Sequence, residues 1–541
     1  MKAMAFAFLL FAVAASAKEP QVHVRAGVLQ GALDANVIAY KGIRYAEPPV
    51  GDLRWRAPVP VHAWQGVRDA REYGHACLQP PQPPNGLYTG GMASVSEDCL
   101  TLNVWSPVNA RRLPVMVWIH GGALVGGSSS EWLYDGVKIA QQGVVFVSIN
   151  YRLGLLGYLA HPALSAESPQ KISGNYGLLD QIEALRWLRD NIASFGGDPK
   201  QVTIAGESAG ALSVIELLAS PLARGLFARA ISQSGYMPTY RALHGEALGL
   251  PSAEAAGNAL AVAAGATDAA ALRAGDLINL FKAGLATGWQ PEPVIDGVVL
   301  KRQLAETFFQ GEQAKVPVMA GFNEGEIRSL LFLMPKAPET AAAYEADVRS
   351  RFGDKASDYL AVYPGTDPRA DVMASVRDGL YGWAAQNLVR QQAAVGQPAY
   401  LYYFRHSTPA ERERDLAAFH ASELPYIFGA STKIGPNWPR PPLAAEETQL
   451  SDAMMGYWTS FVRNGLPKAR GQPDWPRYTA PQRAYLDFDD RPSASVDLQH
   501  AAFTLADGLV AERRKQGRGW RLDIGFSAVD ATGTGRQPTV R

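Results

Sequence analysis

Apolar positions early in the chain follow two patterns, which are continuous runs and stripes with helical spacing. Continuous runs occupy 113–119 and 144–149, as is typical of strands that are covered on both faces. Between 176 and 194 the apolar residues recur every three or four positions, which predicts an amphipathic helix. Because such strands and helices alternate before residue 220, we expect an α/β fold with a mostly parallel central sheet flanked by helices.

The same pattern extends through the rest of the chain. It predicts further strands at 201–205, 224–235, 316–320 and 400–404 and a helix at 450–464. The stretches 236–290 and 330–395 are predicted to be mostly helical insertions, and we expect the second to lie over the carboxyl edge of the sheet. No internal repeat and no long linker divides the chain.

Both ends of the chain differ in composition from the part between them. Lys2 precedes a short apolar run, and Ala15-Ser16-Ala17 matches a signal-peptidase site, so residues 1–17 are predicted to be a signal peptide. The run is too short to span a bilayer, so we expect export to the periplasm or the medium and no stable membrane insertion. A single domain is predicted over 18–523, followed by a disordered tail over 524–541.

Composition narrows the range of partners. Lys and Arg number 51 and Asp and Glu number 51, which leaves no net charge and argues against a nucleic-acid partner or an electrostatically bound membrane surface. The two cysteines, Cys77 and Cys99, would meet an oxidising compartment after export. A disulfide between them would stabilise the fold by about 3 kcal/mol, because it would restrict the unfolded chain. The alternative is two unrelated buried thiols. The sequence does not indicate an oligomeric state.

A motif typical of a catalytic serine lies between the strand predicted at 201–205 and the apolar helical run at 211–218. It reads Gly206-Glu207-Ser208-Ala209-Gly210. G-x-S-x-G often arises by chance, but between a strand and a helix it predicts a nucleophile elbow, with Ser208 lifted to the apex of a sharp turn. The dipole of the following helix would favour negative charge developing there.

A serine nucleophile needs a base, an orienting carboxylate and donors for the oxyanion. Of nine histidines, His420 is the candidate base because it follows a late strand, whereas His120 lies in a glycine-rich loop and is expected to be structural. Glu326 best fits the acid, with Glu324 and Asp296 as alternatives. The predicted oxyanion donors are the backbone amides of Gly122, Ala123 and Ala209. No metal and no cofactor is predicted, and the base is expected to titrate near the ordinary histidine pKa of about 6.5.

Seven motifs in order resemble those of the type-B carboxylesterases, the family that includes the cholinesterases. The motifs are Glu97 to Val104, His120 to Ala123, Asn150 to Gly154, Gly174 to Gln181, Gly206 to Gly210, Gly321-x-Asn323-x-x-Glu326, and His420-x-x-Glu423-Leu424-Pro425-Tyr426-x-Phe428-Gly429. The resemblance covers about residues 23–520. It implies an α/β-hydrolase fold, a small-molecule ester substrate, the triad Ser208, Glu326 and His420, and a disulfide between Cys77 and Cys99.

The chain also departs from the family pattern. Ala123 takes the third glycine position of the oxyanion loop, where its methyl group should crowd bulky esters. No tryptophan lies between the two cysteines, and Ser329 and Leu330 stand where cholinesterases carry an aromatic pair, which argues against a choline ester. Glu207 is expected to support the site through a hydrogen-bond network. Alternatives are a lactone, amide or thioester substrate, or an inactive binding or adhesion protein.

Overall fold

The computed structural model describes residues 19–430 and 432–520. Its strands are β1 Gln21–Val24, β2 Gly27–Gln30, β3 Ala32–Asp34, β4 Val37–Arg44, β5 Val67–Asp69, β6 Ala76–Cys77, β7 Val95–Ser96, β8 Thr101–Pro107, β9 Leu113–Ile119, β10 Val145–Ile149, β11 Gly197–Glu207, β12 Arg229–Gln233, β13 Val318–Asn323, β14 Ala399–Phe404, β15 Ala484–Phe488 and β16 Pro492–Val496. The signal peptide predicted at 1–17 and the tail predicted at 524–541 lie outside the described residues.

Helices fill most of the connections between the strands. They are α1 Val137–Gln141, α2 Gly154–Tyr158, α3 Pro162–Glu167, α4 Tyr176–Asn191, α5 Ala209–Ala219, α6 Ala253–Ala263, α7 Ala269–Ala274, α8 Leu277–Thr287, α9 Leu304–Phe309, α10 Ala341–Phe352, α11 Ala356–Val362, α12 Pro368–Arg377, α13 Trp383–Ala394, α14 Pro409–Glu413, α15 Leu424–Ile427, α16 Ala445–Asn464 and α17 His500–Lys515. Within the described residues, no helix combines the length and the apolar character needed to cross a membrane.

The core of the molecule is an eleven-stranded sheet in the order β16-β15-β14-β13-β12-β11-β9-β10-β8-β4-β3. Seven neighbouring strands run parallel to one another: β10, β9, β11, β12, β13, β14 and β15. At one end of the sheet β8, β4 and β3 are added in antiparallel pairs, and at the other end β16 pairs antiparallel with β15. The predicted mostly parallel sheet is therefore confirmed, with antiparallel strands added at each edge.

Burial on both faces explains the continuous apolar runs. In β9, Val115, Val117 and Ile119 point into one hydrophobic cluster, and Met116 and Trp118 point into the cluster on the opposite face. All five side chains are fully buried, because helices cover both sides of the sheet.

Differences from the predicted elements lie mainly at their ends. The strand predicted at 224–235 is restricted to Arg229–Gln233, because a turn precedes it and Ser234 has a positive φ of 52°. The stretch 236–290 becomes helical only at α6, after residue 252. The edge strands β15 and β16 and the helix α17 were not predicted, since these short and mixed segments resemble loops in sequence.

The disulfide between Cys77 and Cys99 is present, with the two Cα atoms 4.9 Å apart. This confirms the pairing and excludes the alternative of two unrelated thiols. It closes a segment that contains no long helix or strand.

Candidate active site

Ser208 stands at the apex of the turn between β11 and α5. Its φ is +57° and its ψ is −123°, a strained conformation for a residue with a side chain. The turn needs glycine on both sides: a Cβ on Gly206 would lie 2.5 Å from the backbone of Gly210, and one on Gly210 would lie 2.0 Å from the Ile119 carbonyl oxygen. The amide of Ser208 donates to the Gln233 carbonyl, at 2.9 Å, which fixes the turn to β12.

Glu326 and His420 meet at the carboxyl ends of β13 and β14. The Nδ1 atom of His420 lies 2.5 Å from Oε2 of Glu326, and both side chains are buried. The other carboxylate oxygen, Oε1, accepts hydrogen bonds from the Ser234 hydroxyl at 2.6 Å and the Asn323 amide at 2.8 Å. With both oxygens engaged, the Glu326 carboxylate has one orientation, and the imidazole is oriented by it.

Two backbone links hold the histidine loop against the acid loop. The amide of Gly325 donates to the Ala418 carbonyl at 2.8 Å, and the side-chain amide of Asn323 donates to the Phe419 carbonyl at 2.9 Å. The ring of Tyr381 packs against the His420 ring, with the two ring centres 5.1 Å apart. Tyr381 belongs to the insertion at 330–395, so this part of the insertion covers the histidine, as the sequence predicted.

The second imidazole nitrogen faces Glu207 in this structure. His420 Nε2 lies 3.0 Å from Oε1 of Glu207, although no aligned hydrogen bond reaches that oxygen from the described part of the chain. Within residues 19–430 and 432–520, no hydrogen bond joins the Ser208 hydroxyl to His420. Ser208 lies close to the Glu207 carboxylate, since a Cβ built on Gly121 would lie 3.0 Å from that carboxylate and 3.1 Å from Ser208 Cβ.

The carboxylates around the His420 imidazole raise its pKa. Burial alone would lower the pKa of His420, but the charges of Glu207, Glu326 and Glu423 and the hydrogen bond to Glu326 raise it to about 9. Burial raises the pKa of Glu207 to about 8, against the opposing charge of His420. The pair therefore holds a proton more tightly than the isolated groups would, and the expected pKa of about 6.5 does not describe His420 in its surroundings.

Residues that carried no predicted role support the pair. Glu423 is fully buried and accepts from the side-chain amides of Gln233 at 2.9 Å and Asn323 at 2.6 Å. Asn323 thereby connects the Glu423 carboxylate to the loop that carries Glu326. Both residues lie in motifs that were recognised in the sequence, but their partners are distant along the chain, so the sequence offered no signal for these contacts.

The loop after β9 presents backbone amides beside Ser208. Gly122, Ala123 and Leu124 have positive φ values of 105°, 54° and 61°, so the chain turns tightly directly after β9. Across residues 19–430 and 432–520 we find no protein acceptor on the amides of Gly122, Ala123 or Ala209. Ala209 also begins α5, whose positive dipole end faces the same place.

His120 shapes this loop from its buried side. Its Nδ1 atom is 2.8 Å from the Gly121 carbonyl, and its ring stacks on Tyr151 at 4.6 Å. Burial lowers the pKa of His120 to about 4, so the imidazole is neutral and donates from Nδ1. These contacts support the expectation that His120 is structural.

The profile of the carboxylesterase family matches residues 18–505. The chain belongs to the carboxylesterase family. It is 37% identical over 503 residues to a fumonisin B1 esterase of Sphingopyxis macrogoltabida, which covers 88% of this chain and 89% of the relative. It is 34% identical to a para-nitrobenzyl esterase of Bacillus subtilis, over 86% of this chain and 93% of the relative. This carboxylesterase is therefore a carboxylic ester hydrolase that acts on small-molecule esters.

Solved structures confirm the α/β-hydrolase fold. A para-nitrobenzyl esterase structure aligns with a TM-score of 0.75 at 31% identity, covering 90% of this chain and 100% of that protein. A carboxylesterase of Geobacillus stearothermophilus aligns with a TM-score of 0.75 at 33% identity, covering 89% and 99%. The resemblance inferred from seven sequence motifs is thus confirmed over most of the carboxylesterase chain.

Elsewhere in this carboxylesterase, one group of side chains has the composition of a cation site. His406, Asp489 and Asp490 bring potential ligand atoms within 4.8 Å of one another. His406 already contacts Glu447 and Asp490 through its two nitrogens, and Arg405 contacts Asp489. The group therefore serves as an ion-pair network at the end of β14, separate from Ser208 and His420.

Proposed function

We propose that the enzyme cleaves carboxylic esters through an acyl-enzyme, with Ser208 as nucleophile, His420 as base and Glu326 as the carboxylate that orients the base. The observation that carries this proposal is the 2.5 Å contact between His420 and Glu326 beside a serine held at a strained elbow. A tautomer with the proton on Nδ1 leaves Nε2 free to accept the serine proton.

The proposed reaction has two halves. Ser208 Oγ attacks the ester carbonyl while Nε2 of His420 takes the hydroxyl proton, and the imidazolium then gives that proton to the departing alcohol. Water next attacks the acyl-enzyme with the same base, which releases the acid and restores Ser208. In both halves the amides of Gly122, Ala123 and Ala209 would donate to the oxyanion. Reaction requires Nε2 to turn from Glu207 towards Ser208, which lies next to Glu207 in the chain.

The proposed substrates are small-molecule carboxylic esters. The relatives named above are described by their action on fumonisin B1 and on para-nitrobenzyl esters. Ser329 and Leu330 offer no aromatic cage for a quaternary ammonium group, which argues against choline esters. Ala123 adds a methyl group beside the proposed oxyanion site, so esters with small acyl groups should react faster than branched ones.

We also propose that the mature enzyme begins near Lys18 and is exported. The Cys77–Cys99 disulfide supports an oxidising destination. Amino-terminal sequencing of the protein from the periplasm and the medium would test both the cleavage site and the compartment.

The test of the mechanism is hydrolysis of p-nitrophenyl esters from acetate to decanoate by the wild type, Ser208→Ala and Ser493→Ala. Ser493 is exposed on the edge strand β16 and is the matched control. We expect turnover by the wild type and the control and none by Ser208→Ala. Turnover that persists in Ser208→Ala would exclude this serine as the nucleophile. A folded wild type that neither hydrolyses these esters nor reacts with a fluorophosphonate would contradict the proposed mechanism.

A further inference from the structure

The segment 78–98, closed by the Cys77–Cys99 disulfide, reaches the proposed catalytic histidine through Tyr88. We call this segment the strap. The Tyr88 hydroxyl lies 3.0 Å from the His420 carbonyl oxygen and 2.8 Å from the Ser329 hydroxyl. A carbonyl can only accept, whereas Ser329 can donate its own proton to the phenol oxygen. The arrangement that satisfies all three groups therefore has Tyr88 donating to the His420 carbonyl.

The Tyr88 ring is held beside the residue that precedes the histidine. It packs edge-on against Trp438 at 5.8 Å and tilts against Phe419 at 6.5 Å, and these two rings are themselves 4.9 Å apart. Tyr88 is 38% exposed, so one side of its ring faces solvent while its hydroxyl points inward. The hydroxyl thus has a fixed position relative to the His420 backbone.

Contacts near its start and in its first half fix the strap to the rest of the site. The side-chain amide of Asn437 lies 3.2 Å from the carbonyl oxygens of Pro84 and Gly86. Near the disulfide, Gln79 exchanges two hydrogen bonds with the backbone of Gly127, at 2.8 and 2.9 Å. Gly127 ends the loop that presents the proposed oxyanion amides, so the strap contacts both the histidine loop and the oxyanion loop.

The backbone around His420 is consequently held from two sides. Asn323 binds the Phe419 carbonyl from the acid loop, and Tyr88 binds the His420 carbonyl from the strap. His420 Nε2 lies against Glu207 and must reach Ser208 during the proposed reaction. The position of the His420 backbone therefore limits whether the imidazole can move from Glu207 to Ser208.

We propose that Tyr88 is a positioning residue for His420 and that the disulfide acts on the reaction through Tyr88. The inference rests on the proposed function, because it assigns His420 the role of base. A strap that only stabilises the fold would change the melting temperature and leave kcat unchanged. A strap that positions the imidazole changes kcat, and it does so for esters of every size.

The first test compares Tyr88→Phe with Ser329→Ala, using p-nitrophenyl acetate and butyrate. Tyr88→Phe keeps the ring and removes only the hydroxyl, and we expect kcat to fall by about two- to tenfold with KM nearly unchanged. Ser329→Ala removes the other hydroxyl partner and leaves the bond to His420, so its kcat should stay close to that of the wild type. An unchanged kcat in Tyr88→Phe, or an equal loss in both variants, would overturn the proposal.

A second test measures the coupling to the disulfide. We expect Cys77→Ala/Cys99→Ala to lower kcat and Tyr88→Phe to lower it no further in that background. Losses that multiply would show that the strap and Tyr88 act independently, which would contradict the second half of the proposal. This cycle also remains informative if Tyr88→Phe alone proves less stable, because the disulfide-free variant probes the same link.

A readout without turnover separates this proposal from the proposed function. The Nδ1 proton between His420 and Glu326 should give a far-downfield proton resonance in the wild type. We expect that resonance to broaden or to exchange faster in Tyr88→Phe and to persist in Ser329→Ala. An unchanged resonance in Tyr88→Phe would argue against positioning. Failure of the wild type to hydrolyse esters would instead count against the proposed function and leave this readout intact.

Discussion

Replacing Glu207 with glutamine should shift the pH at which the enzyme becomes active. The substitution keeps the shape of the side chain and removes a negative charge 3.0 Å from His420 Nε2. That charge is the strongest of the influences that raise the pKa of His420. Because the proposed base must be neutral to accept a proton, activity should rise as the pH passes upward through the His420 pKa.

The size of the shift follows from the interactions at the imidazole. Four of them raise the His420 pKa from its ordinary 6.5 to about 9 while burial acts against them: the charge of Glu207, the charge and the hydrogen bond of Glu326, and the charge of Glu423. Together the four must therefore supply more than the net rise, and the strongest supplies more than a quarter of it. We expect Glu207→Gln to lower the apparent pKa of the reaction by about half a unit or more. At pH 7 a larger fraction of His420 would then be neutral.

The assay is the pH dependence of kcat/KM for p-nitrophenyl acetate between about pH 5 and 10, corrected for ionisation of the p-nitrophenol product. Glu447→Gln is a matched control. It removes a carboxylate from another buried histidine, His406, whose Nε2 lies 3.2 Å from both Glu447 oxygens and outside the proposed site. The control should leave the apparent pKa of the reaction unchanged.

Three outcomes would refute this reasoning. An apparent pKa in Glu207→Gln equal to or higher than that of the wild type would show that Glu207 does not raise the pKa of His420 in the working enzyme. A wild-type pKa near 6.5 would mean that the contact with Glu207 is absent during turnover. An equal shift in Glu447→Gln would show that the effect comes from net charge rather than from the local pair.

Two further predictions concern the acid and the oxyanion loop. Glu326→Gln should lower kcat by about 10³–10⁴-fold because the amide would no longer stabilise the imidazolium, and a loss below tenfold in a folded variant would exclude Glu326 as the orienting acid. Ala123→Gly keeps the backbone donor and relieves a positive φ of 54°, so activity on p-nitrophenyl acetate should be retained. Without the methyl group, the kcat/KM for a pivalate ester relative to acetate should rise by about tenfold, and an unchanged ratio would mean that the methyl group does not face the acyl moiety.

Much of the fold was readable in the sequence because the central strands are buried on both faces. A strand such as Leu113–Ile119 can contain few polar residues, so its apolar run coincides with its limits in the structure. Edge elements lack this constraint: β16 is largely exposed and has no apolar run, and it was not predicted. The two glycines around Ser208 also predicted the turn correctly. Gly206 lies too close to Gly210, and Gly210 too close to Ile119, for either position to accommodate a Cβ.

The sequence by itself determined the strands of the core, the elbow, the chain order of Ser208, Glu326 and His420, and the pair of cysteines available for a bridge. These features follow from local pattern, from the composition of short motifs and from the residue types that the proposed acyl transfer requires. Tertiary structure alone decided that His420 Nε2 lies against Glu207, that Glu423 raises its pKa further, and that Tyr88 reaches the His420 carbonyl from a segment 332 residues away. The physical reason is that charge and hydrogen bonding act over a few ångströms in space, and separation along the chain does not report which side chains the loops bring within that distance.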